Sequence, residues 1–313
     1  ILATFRISPS ELNRIIATAP HRYKSFYIPK KRAGSFREVA QPARELKAIQ
    51  TWLIQYLENR LPMHSCAVAY RNGTGIKENA KRHTNKRFVL KMDLKDFFPS
   101  IVKRDIQKHL AKYFEEDLSG EDVDDICNIL LWSPPNKVGR RLCIGAPSSP
   151  FISNSILYDL DELLWRTCLE RRVTYTRYAD DLIFSTNEAN LLSEIERAVY
   201  RTLSEIDYPK LSVNQDKTVH TSKGRGVTVT GITVTPLGGL SIGRERKRLI
   251  RAAIYRFLEM KLSYEEVEKL NGLLAFAHDI EPAFIQSMKN RYGSDILLKI
   301  RAHIADNAPG SSK

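Results

Sequence analysis

The 313-residue sequence has few cysteines, and their spacing excludes the sites that cysteines usually build. The four cysteines lie far apart, at positions 66, 127, 143 and 168, and no two of them form a Cys-x-x-Cys pair. Together with only seven scattered histidines, this pattern argues against a structural zinc site and against a disulfide framework. It is typical of a protein that works in a reducing compartment, so we expect a cytoplasmic location.

Long apolar runs are also absent from the sequence. No stretch is apolar enough to span a bilayer and no signal peptide is recognisable, so we expect no membrane partner. The chain begins at Ile1 rather than at a methionine, and we expect residues to be missing there. Residues 307–313 (Asn-Ala-Pro-Gly-Ser-Ser-Lys) are small and polar, which predicts a flexible tail.

Negative charge is the scarcer sign. Lys and Arg together number 49 against 36 Asp and Glu, which gives a net charge of +13. Such an excess favours a polyanionic partner, most simply nucleic acid, although a basic protein without such a ligand has the same charge balance. Hydrophobic residues make up 42% of the chain, enough for a globular core and for two or three subdomains.

Three aspartates in two strand-like segments carry the strongest chemical signal. Asp93 ends an apolar run, and Asp180 and Asp181 adjoin in a run otherwise rich in aromatic and aliphatic residues. A solvated hairpin tip would explain the adjacent pair by itself, but an aspartate that closes a buried strand needs a compensating cation or donor. Three carboxylates brought together raise one another's pKa values unless divalent metal keeps them ionised, which is the arrangement of a two-metal phosphoryl-transfer site.

Periodicity and turn residues predict alternating strands and helices around these aspartates. Residues 23–28 and 36–40 predict a hairpin with its turn at Gly34, and residues 227–234 predict one strand. The hairpin region is basic, with Arg22, Lys24, Lys30, Lys31, Arg32 and Arg37, and we expect it to contact phosphates. Helices are predicted to start at Pro42 and at Arg244 and to cover residues 103–113, 189–203, 264–277 and 282–292.

Two further segments allow either a structural or a functional interpretation. Phe97 and Phe98 have the character of core residues, yet Phe98 could also form the floor under a nucleotide sugar and exclude a 2′-hydroxyl. Residues 145–150 (Gly-Ala-Pro-Ser-Ser-Pro) are compact and permit close approach of the backbone to a ligand. No triad pattern supports a nucleophilic serine among them.

The order of these segments resembles that of reverse transcriptases. The resemblance covers most of the chain and rests on Asp93 with Phe98, residues 145–150, residues 178–181 (Tyr-Ala-Asp-Asp), and Asn214 with Lys217. Two more stretches, Asn79-Ala80-x-x-His83 and Val229-Thr230-Gly231, resemble the two signatures of retron reverse transcriptases. Enzymes of the group II intron type and diversity-generating enzymes are the nearest alternatives.

The resemblance implies an α+β right-hand polymerase fold. Its parts would be an N-terminal segment and fingers over residues 1–88, a palm over residues 89–242 and a small helical thumb over residues 243–306. The palm would be an antiparallel sheet packed on helices, with a fingers insertion near residues 105–145. Residues 307–313 would remain a flexible tail.

The resemblance also implies roles for individual residues. Asp93, Asp180 and Asp181 would hold two Mg²⁺ ions, and Lys217 would assist the departing pyrophosphate. Binding of the incoming dNTP would involve Arg37, Asp96, Phe97, Phe98, Gly145 and Ala146. Contacts to RNA or DNA would involve Asn79, His83, Thr230, Gly231, Arg244, Lys247, Arg248 and Arg251. The chain has Ile144 where many reverse transcriptases have glutamine, so the nucleotide contact of that glutamine is not expected here.

The expected activity is RNA-directed DNA synthesis on a cognate structured noncoding RNA. Retron enzymes prime from the 2′-hydroxyl of an internal guanosine and produce a branched RNA–DNA hybrid (msDNA). The resemblance further implies a role in anti-phage defence together with an effector protein. Two other classes have to be weighed: a non-catalytic RNA-binding scaffold, against which the three aspartates argue, and a two-metal nuclease, which would have no need of a sugar gate at Phe98.

Overall fold

The computed structural model describes residues 2–29, 34–135, 137–222, 224 and 226–307. In these residues the helices α1 to α14 are Leu2–Phe5, Pro9–Thr18, Arg44–Leu57, Ile76–Arg82, Phe97–Ser100, Lys103–Phe114, Gly120–Leu130, Ser149–Ile156, Tyr158–Glu170, Leu191–Glu205, Arg244–Leu258, Tyr264–Ile280, Pro282–Tyr292 and Ile296–Asp306. The strands β1 to β9 are Tyr23–Pro29, Phe36–Pro42, Phe88–Asp93, Thr174–Tyr178, Asp181–Thr186, Val219–Ser222, Val227–Val229, Ile232–Val234 and Leu240–Ser241. The predicted basic residues Lys30, Lys31 and Arg32 and most of the predicted tail lie outside the described residues.

The strands form three small sheets. β1 pairs with β2, a second sheet has the order β4-β5-β3-β6, and a third has the order β7-β8-β9. The pairs β1/β2, β3/β5, β4/β5, β7/β8 and β8/β9 are antiparallel. Helices combined with antiparallel sheets confirm the predicted α+β class.

The sheet that contains β5 lies inside the main hydrophobic core. Leu182, Ile183 and Phe184 follow one another in β5 and are all buried, although successive side chains of a strand point to opposite faces. Both faces of β5 are therefore covered. Helix α10 contacts β5 and β3 and buries residues at helical spacing, namely Leu192, Ile195, Val199 and Leu203. Each such side chain contributes about 1.5–3 kcal/mol when it is fully buried.

A completely buried ion pair lies beside this sheet. The guanidinium of Arg177 in β4 donates to both carboxylate oxygens of Asp161 in α9, at 2.9 Å from Nε to Oδ1 and 2.6 Å from Nη2 to Oδ2, and neither side chain is exposed. The hydroxyl of Tyr175 donates to the same carboxylate at 2.8 Å. Nη1 of Arg177 donates to Asn154 Oδ1 at 3.0 Å and to the carbonyl of Ala179 at 3.2 Å. The buried charges are thus paired and hydrogen-bonded, which burial of charge requires.

The chain divides into two compact units. One comprises residues 1–74 and 88–220, and the other comprises residues 75–87 and 221–313. In the second unit α4 contacts β7 and β8, and α12 contacts α11, α13 and α14. The predicted boundaries of fingers, palm and thumb stay a prediction.

Three local features differ from the sequence-based expectations. Residues 227–234 are not one strand but the hairpin β7–β8, in which Thr230 and Gly231 form the turn with φ of +44° and +84°. Pro42 ends β2 opposite Tyr23, a position that needs no N–H from proline, and α3 begins at Arg44. Helix α14 was not predicted. In the part of the chain that the structure describes, no helix is long and apolar enough to cross a membrane.

The buried pair predicts a large and specific loss of stability for Asp161→Asn. This change leaves the Arg177 guanidinium buried without its counter-charge, and breaking a buried pair costs about 3–5 kcal/mol. Urea denaturation followed by circular dichroism measures the free energy of unfolding. The matched control is Asp159→Asn on the same helix, whose ion pair with Lys112 is solvent-exposed and is worth about 0–1 kcal/mol. Equal losses for the two variants would contradict this role of the buried pair.

Candidate active site

The structure brings the three predicted aspartates together at one end of β3 and β5. Asp93, the last residue of β3, lies opposite Asp181, the first residue of β5. Asp180 precedes it in the two-residue loop between β4 and β5, whose other member, Ala179, has φ of +56°. The N–H of Leu94 donates to the carbonyl of Asp180 at 2.9 Å. This bond ties the loop to the chain that leaves Asp93, so the three carboxylates share one small site.

Burial and mutual repulsion raise the pKa values of the adjacent pair. The pKa of Asp181 rises to about 6, first because the carboxyl is buried and then because Asp180 and Asp93 lie nearby. The pKa of Asp180 is also raised, mainly by burial, with a further contribution from Asp93. Lys217 and Arg37 oppose this rise at Asp180 but do not cancel it. The site therefore has more negative charge than its own cations compensate, which favours binding of further cations.

Lys217 lies directly against one of the three carboxylates. Its Nζ donates to both oxygens of Asp93, at 2.8 Å each. The lysine ends the short 3₁₀ helix Gln215–Lys217. Just before it, the N–H of Asn214 donates to the carbonyl of Asp93 at 2.8 Å, and Val213 forms a β-bridge with Leu94. Backbone pairing thus places the predicted catalytic lysine beside the predicted metal ligand.

The carboxylates have the chemistry of a magnesium site but not its arrangement. Among the described residues, no three His, Cys, Asp or Glu side chains are grouped so that they could hold a metal ion as they stand. Asp93 faces the ammonium of Lys217 instead. Oxygen-only ligands are what Mg²⁺ prefers, so the donor set fits this ion once Lys217 releases Asp93. The magnesium assignment stays a prediction.

The residues predicted to bind the nucleotide occupy different environments. Arg37 is exposed on β2, and its charge reaches the Asp180 carboxylate. Phe97 belongs to the core, whereas Phe98 is only partly buried, with the two ring centroids 5.1 Å apart. Asp96 is exposed and has φ of +46°, and its carbonyl accepts from the N–H of Ser100. Of the two phenylalanines, Phe98 is the one with surface available to a ligand.

The glycine at position 145 is required by a contact within the protein. A Cβ on Gly145 would lie 2.7 Å from the carbonyl oxygen of Ala40 in β2, and its φ is +116°. The N–H of Ala40 donates to the carbonyl of Ile144 at 2.8 Å. Ala146 is buried in a small cluster with Ala40 and Trp132. Residues 144–146 therefore join the β1–β2 hairpin to the rest of the unit. Of Gly145 and Ala146, which were both predicted to bind the nucleotide, Gly145 is the one that is exposed.

Tyr70 is a residue that the sequence analysis missed. Its ring centroid lies 6.4 Å from that of Phe98, and its backbone has φ of +61°. Burial and the Asp180 carboxylate raise the pKa of its phenol. The segment around Tyr70 has no sequence pattern beyond glycines and basic residues, so only proximity in the folded chain associates it with the aspartates.

The two retron-like signatures meet in the second unit. Asn79 lies within α4, His83 directly follows it, and both are 0% exposed, so their side chains have no surface to offer RNA in this structure. Nδ2 of Asn79 donates to Thr230 Oγ1 at 3.5 Å, and Thr230 Oγ1 donates to the carbonyl of Ile76 at 3.3 Å. Asn79 and the start of α4 thus support the Thr230–Gly231 turn, and the RNA contact predicted for Asn79 and His83 stays a prediction.

The basic residues of helix α11 fall into two groups, one bonded within the protein and one exposed. Arg246 donates to the carbonyl of Gly231, and Lys247 pairs with Glu281, so these two side chains hold the unit together. Arg244, Arg248 and Arg251 are exposed. The guanidinium of Arg251 lies 5.3 Å from the ring centroid of Phe284. The exposed members are the ones with charge available to a polyanion.

The fold is similar to those of solved polymerases that copy RNA. It matches the telomerase of Candida albicans in complex with a telomeric RNA fragment at a TM-score of 0.51 and 15% identity, over 91% of this chain and 59% of that one. It also matches a foamy viral protease–reverse transcriptase in complex with double-stranded DNA at a TM-score of 0.50 and 16% identity, over 91% of this chain and 44% of that one. At these identities the likeness establishes the fold alone, which is the predicted reverse transcriptase fold.

The sequence comparisons establish the family. The family model described as reverse transcriptase (RNA-dependent DNA polymerase) matches residues 28–234. The retron Ec83 reverse transcriptase of Escherichia coli is 38% identical, over 90% of each chain. The retron Ec73 and Ec86 reverse transcriptases of the same organism are 32% and 30% identical, over 90% and 95% of this chain and 90% of each of theirs. The chain therefore belongs to the reverse transcriptases of retrons and is an RNA-directed DNA polymerase.

Proposed function

We propose that the protein copies a structured noncoding RNA into DNA at a two-magnesium site formed by Asp93, Asp180 and Asp181. The observation that carries this proposal is the meeting of three carboxylates at paired strand ends, where burial and mutual repulsion raise the pKa values of two of them. Such a site is costly for the protein by itself and becomes favourable when cations bind.

Each residue of the site then has a role. When bound, two Mg²⁺ ions lower the pKa of the attacking hydroxyl and stabilise charge on the attacking and leaving oxygens. The aspartates supply the oxygen ligands. Lys217, which pairs with Asp93 in this structure, leaves that carboxylate and is then free to deliver a proton to the departing pyrophosphate.

The incoming dNTP is proposed to bind between the aspartates and the β1–β2 hairpin. Arg37 would hold the triphosphate, since its charge already reaches Asp180. The nucleotide would be supported by the backbone at Asp96 and Phe97 and by the exposed Gly145. The buried Ala146 would hold the Gly145 segment in place. Phe98 would lie under the sugar and exclude a 2′-hydroxyl.

Recognition of the RNA is proposed to belong to the second unit. The Thr230–Gly231 turn is partly exposed and is supported by Asn79 of α4, a helix that ends at Arg82, directly before His83. Arg244, Arg248 and Arg251 would contact phosphates, while Lys247 would act mainly through its pairing with Glu281. The fingers, palm and thumb division at residues 88 and 242 is part of the same proposal.

The proposed priming site and DNA product follow from the chain's membership of the retron reverse transcriptases. Because the chain belongs to the retron reverse transcriptases, we propose that it primes from the 2′-hydroxyl of an internal guanosine and makes a branched RNA–DNA product, msDNA. A role in anti-phage defence, an effector protein as partner and a cytoplasmic location complete the proposal.

The nucleic acid that co-purifies with the protein tests this function. The wild-type protein, expressed with its own locus, should carry DNA joined covalently to RNA, which a debranching enzyme releases and sequencing identifies. Asp180→Asn should co-purify with the same RNA and without DNA, because the change removes one metal ligand and leaves the RNA-binding unit intact.

DNA made by the Asp180→Asn protein would contradict the metal assignment. Linear DNA without a branch, made by the wild-type protein, would contradict the priming mechanism but not the polymerase activity.

The raised pKa values predict that Asp181→Asn stabilises the metal-free protein at neutral pH. The change removes a repelled, buried charge, and we expect a gain on the order of 1 kcal/mol, since one pKa unit corresponds to about 1.4 kcal/mol and partial exposure screens the charge. A carboxyl whose pKa is raised by folding favours the folded state below its unfolded pKa of 3.8 and loses this contribution as the pH rises through its folded pKa of about 6.

Urea denaturation with a chelator, at a pH of about 7.5 and of about 4, measures the difference. The gain should be present at the higher pH and should disappear at the lower one, where the wild-type carboxyl is protonated. Asp216→Asn, which removes an exposed carboxylate, is the matched control and should change little at either pH. A gain that persists at about pH 4 would show that charge repulsion is not its cause.

Replacement of Arg248 and Arg251 by alanine tests the proposed RNA surface. The double variant should bind the cognate RNA more weakly, and the dependence of affinity on salt should flatten by about one unit of slope for each phosphate that the protein no longer neutralises. Arg301→Ala, an exposed arginine on α14 of the same unit, is the control. An equal loss of affinity for a generic primer–template would indicate ordinary phosphate contacts instead of recognition of the cognate RNA.

A further inference from the structure

Residues 67–70, which precede α4, place the Tyr70 ring near the three aspartates. Ala67 forms a parallel β-bridge with Arg177, and the N–H of Val68 donates to the carbonyl of Arg177 at 2.8 Å. Ala67, Val68 and Ala69 are all buried, but the next residue, Tyr70, is 49% exposed. The chain turns outward at Tyr70 with φ of +61°, a conformation that is uncommon for a bulky residue and often marks a functional site.

The Tyr70 ring lies against the proposed sugar gate. Its centroid is 6.4 Å from that of Phe98, with the ring planes inclined at 39°. On another side, Phe98 meets Phe97, with centroids 5.1 Å apart and an inclination of 52°. Phe97 is anchored in the core, whereas Phe98 is only partly buried. The orientation of the Phe98 ring therefore depends on Tyr70 as well as on its neighbour in the chain.

The Arg177 guanidinium holds, through buried hydrogen bonds, both the backbone before Tyr70 and the loop that contains Asp180. Asn154 Nδ2 donates to the carbonyl of Ala69 at 2.8 Å, and its Oδ1 accepts from Arg177 Nη1 at 3.0 Å. Nη1 of Arg177 also donates to the carbonyl of Ala179, directly before Asp180. The residue before Tyr70 and the residue before Asp180 are thus held by one hydrogen-bond network, so the backbone at these two points keeps a defined spacing.

We propose that Tyr70 is a positioning residue that holds Phe98 in the orientation needed to reject ribonucleotides. The inference rests on the proposed role of Phe98 as the sugar gate. Phe97 and Tyr70 restrain the gate from two sides, and removal of Tyr70 lets the Phe98 ring rotate away from the 2′-position. The proximity of Tyr70 to Asp180, Tyr178 and Arg37 agrees with a place at the edge of the nucleotide site.

The test compares the efficiency of dNTP and ribonucleotide incorporation on one primer–template. Tyr70→Ala should raise the relative use of ribonucleotides about two- to tenfold, the range that corresponds to the loss of one aromatic pair. Tyr70→Phe keeps the ring and should keep the selectivity. The ratio is measured on a single preparation, so a partly folded variant does not change it. Tyr70→Asn provides the same loss of the ring in a residue that tolerates the left-handed backbone.

A double-mutant cycle decides whether Tyr70 acts through Phe98. Phe98→Ala should relax selectivity, and the addition of Tyr70→Ala should relax it no further, because the ring that Tyr70 positions is already gone. Additive effects would overturn the inference. Tyr56→Ala is the matched control, since Tyr56 is also 49% exposed and packs on Trp52 and Phe114, away from the aspartates.

The remaining outcomes distinguish a failure of the positioning role of Tyr70 from a failure of the Phe98 sugar gate. If Phe98→Ala relaxes selectivity and Tyr70→Ala does not, Tyr70 has no positioning role and the gate stands. If Phe98→Ala leaves selectivity unchanged, the gate itself is wrong, and the inference about Tyr70 is overturned with it. Equal relaxation by Tyr56→Ala would show a general effect of reduced aromatic packing and would also overturn it.

Discussion

The buried pair of Arg177 and Asp161 is the interaction on which the active site of this unit depends. A guanidinium without solvent has to satisfy its donors within the protein, and it does so beside the candidate active site. It pairs with α9, holds the carbonyl before Asp180 and, through Asn154, holds the segment before Tyr70. One desolvated charge thus fixes the backbone directly before Asp180 and directly before Tyr70.

The charges of the candidate site, unlike those of this network, are not fully compensated. The network pairs its charges completely, whereas Asp180 and Asp181 lie next to Asp93 with raised pKa values and incomplete compensation. Lys217 occupies the Asp93 carboxylate in this structure. The fully paired network beside the incompletely compensated carboxylates has a physical use, because rigid neighbours keep the repelling groups together until cations bind.

The second unit shows why signature motifs need a structural interpretation. Asn79 and Thr230 are 151 positions apart in the chain and join by a hydrogen bond, so two separate signatures form one structural element. The hydrogen bond to Thr230 assigns Asn79 to the support of the turn, and His83 is equally buried. Exposure on α11 selects Arg244, Arg248 and Arg251 from a longer set of basic residues. Motif letters alone do not distinguish a supporting side chain from a contacting one.

The sequence by itself determined the fold class and the family, and it singled out the three aspartates as the candidate site, because strand-ending carboxylates and the order of motifs are readable along the chain. Local patterns also predicted the paired strands β1 and β2, which the structure places at Tyr23–Pro29 and Phe36–Pro42, and helix α13, at Pro282–Tyr292. Tertiary structure alone decided that Gly145 approaches Ala40, that residues 227–234 fold back as a hairpin and that Tyr70 reaches Phe98. These outcomes depend on contacts between distant segments, and the physical reason is that sequence spacing encodes the face of a helix or strand but not which other surface that face will meet.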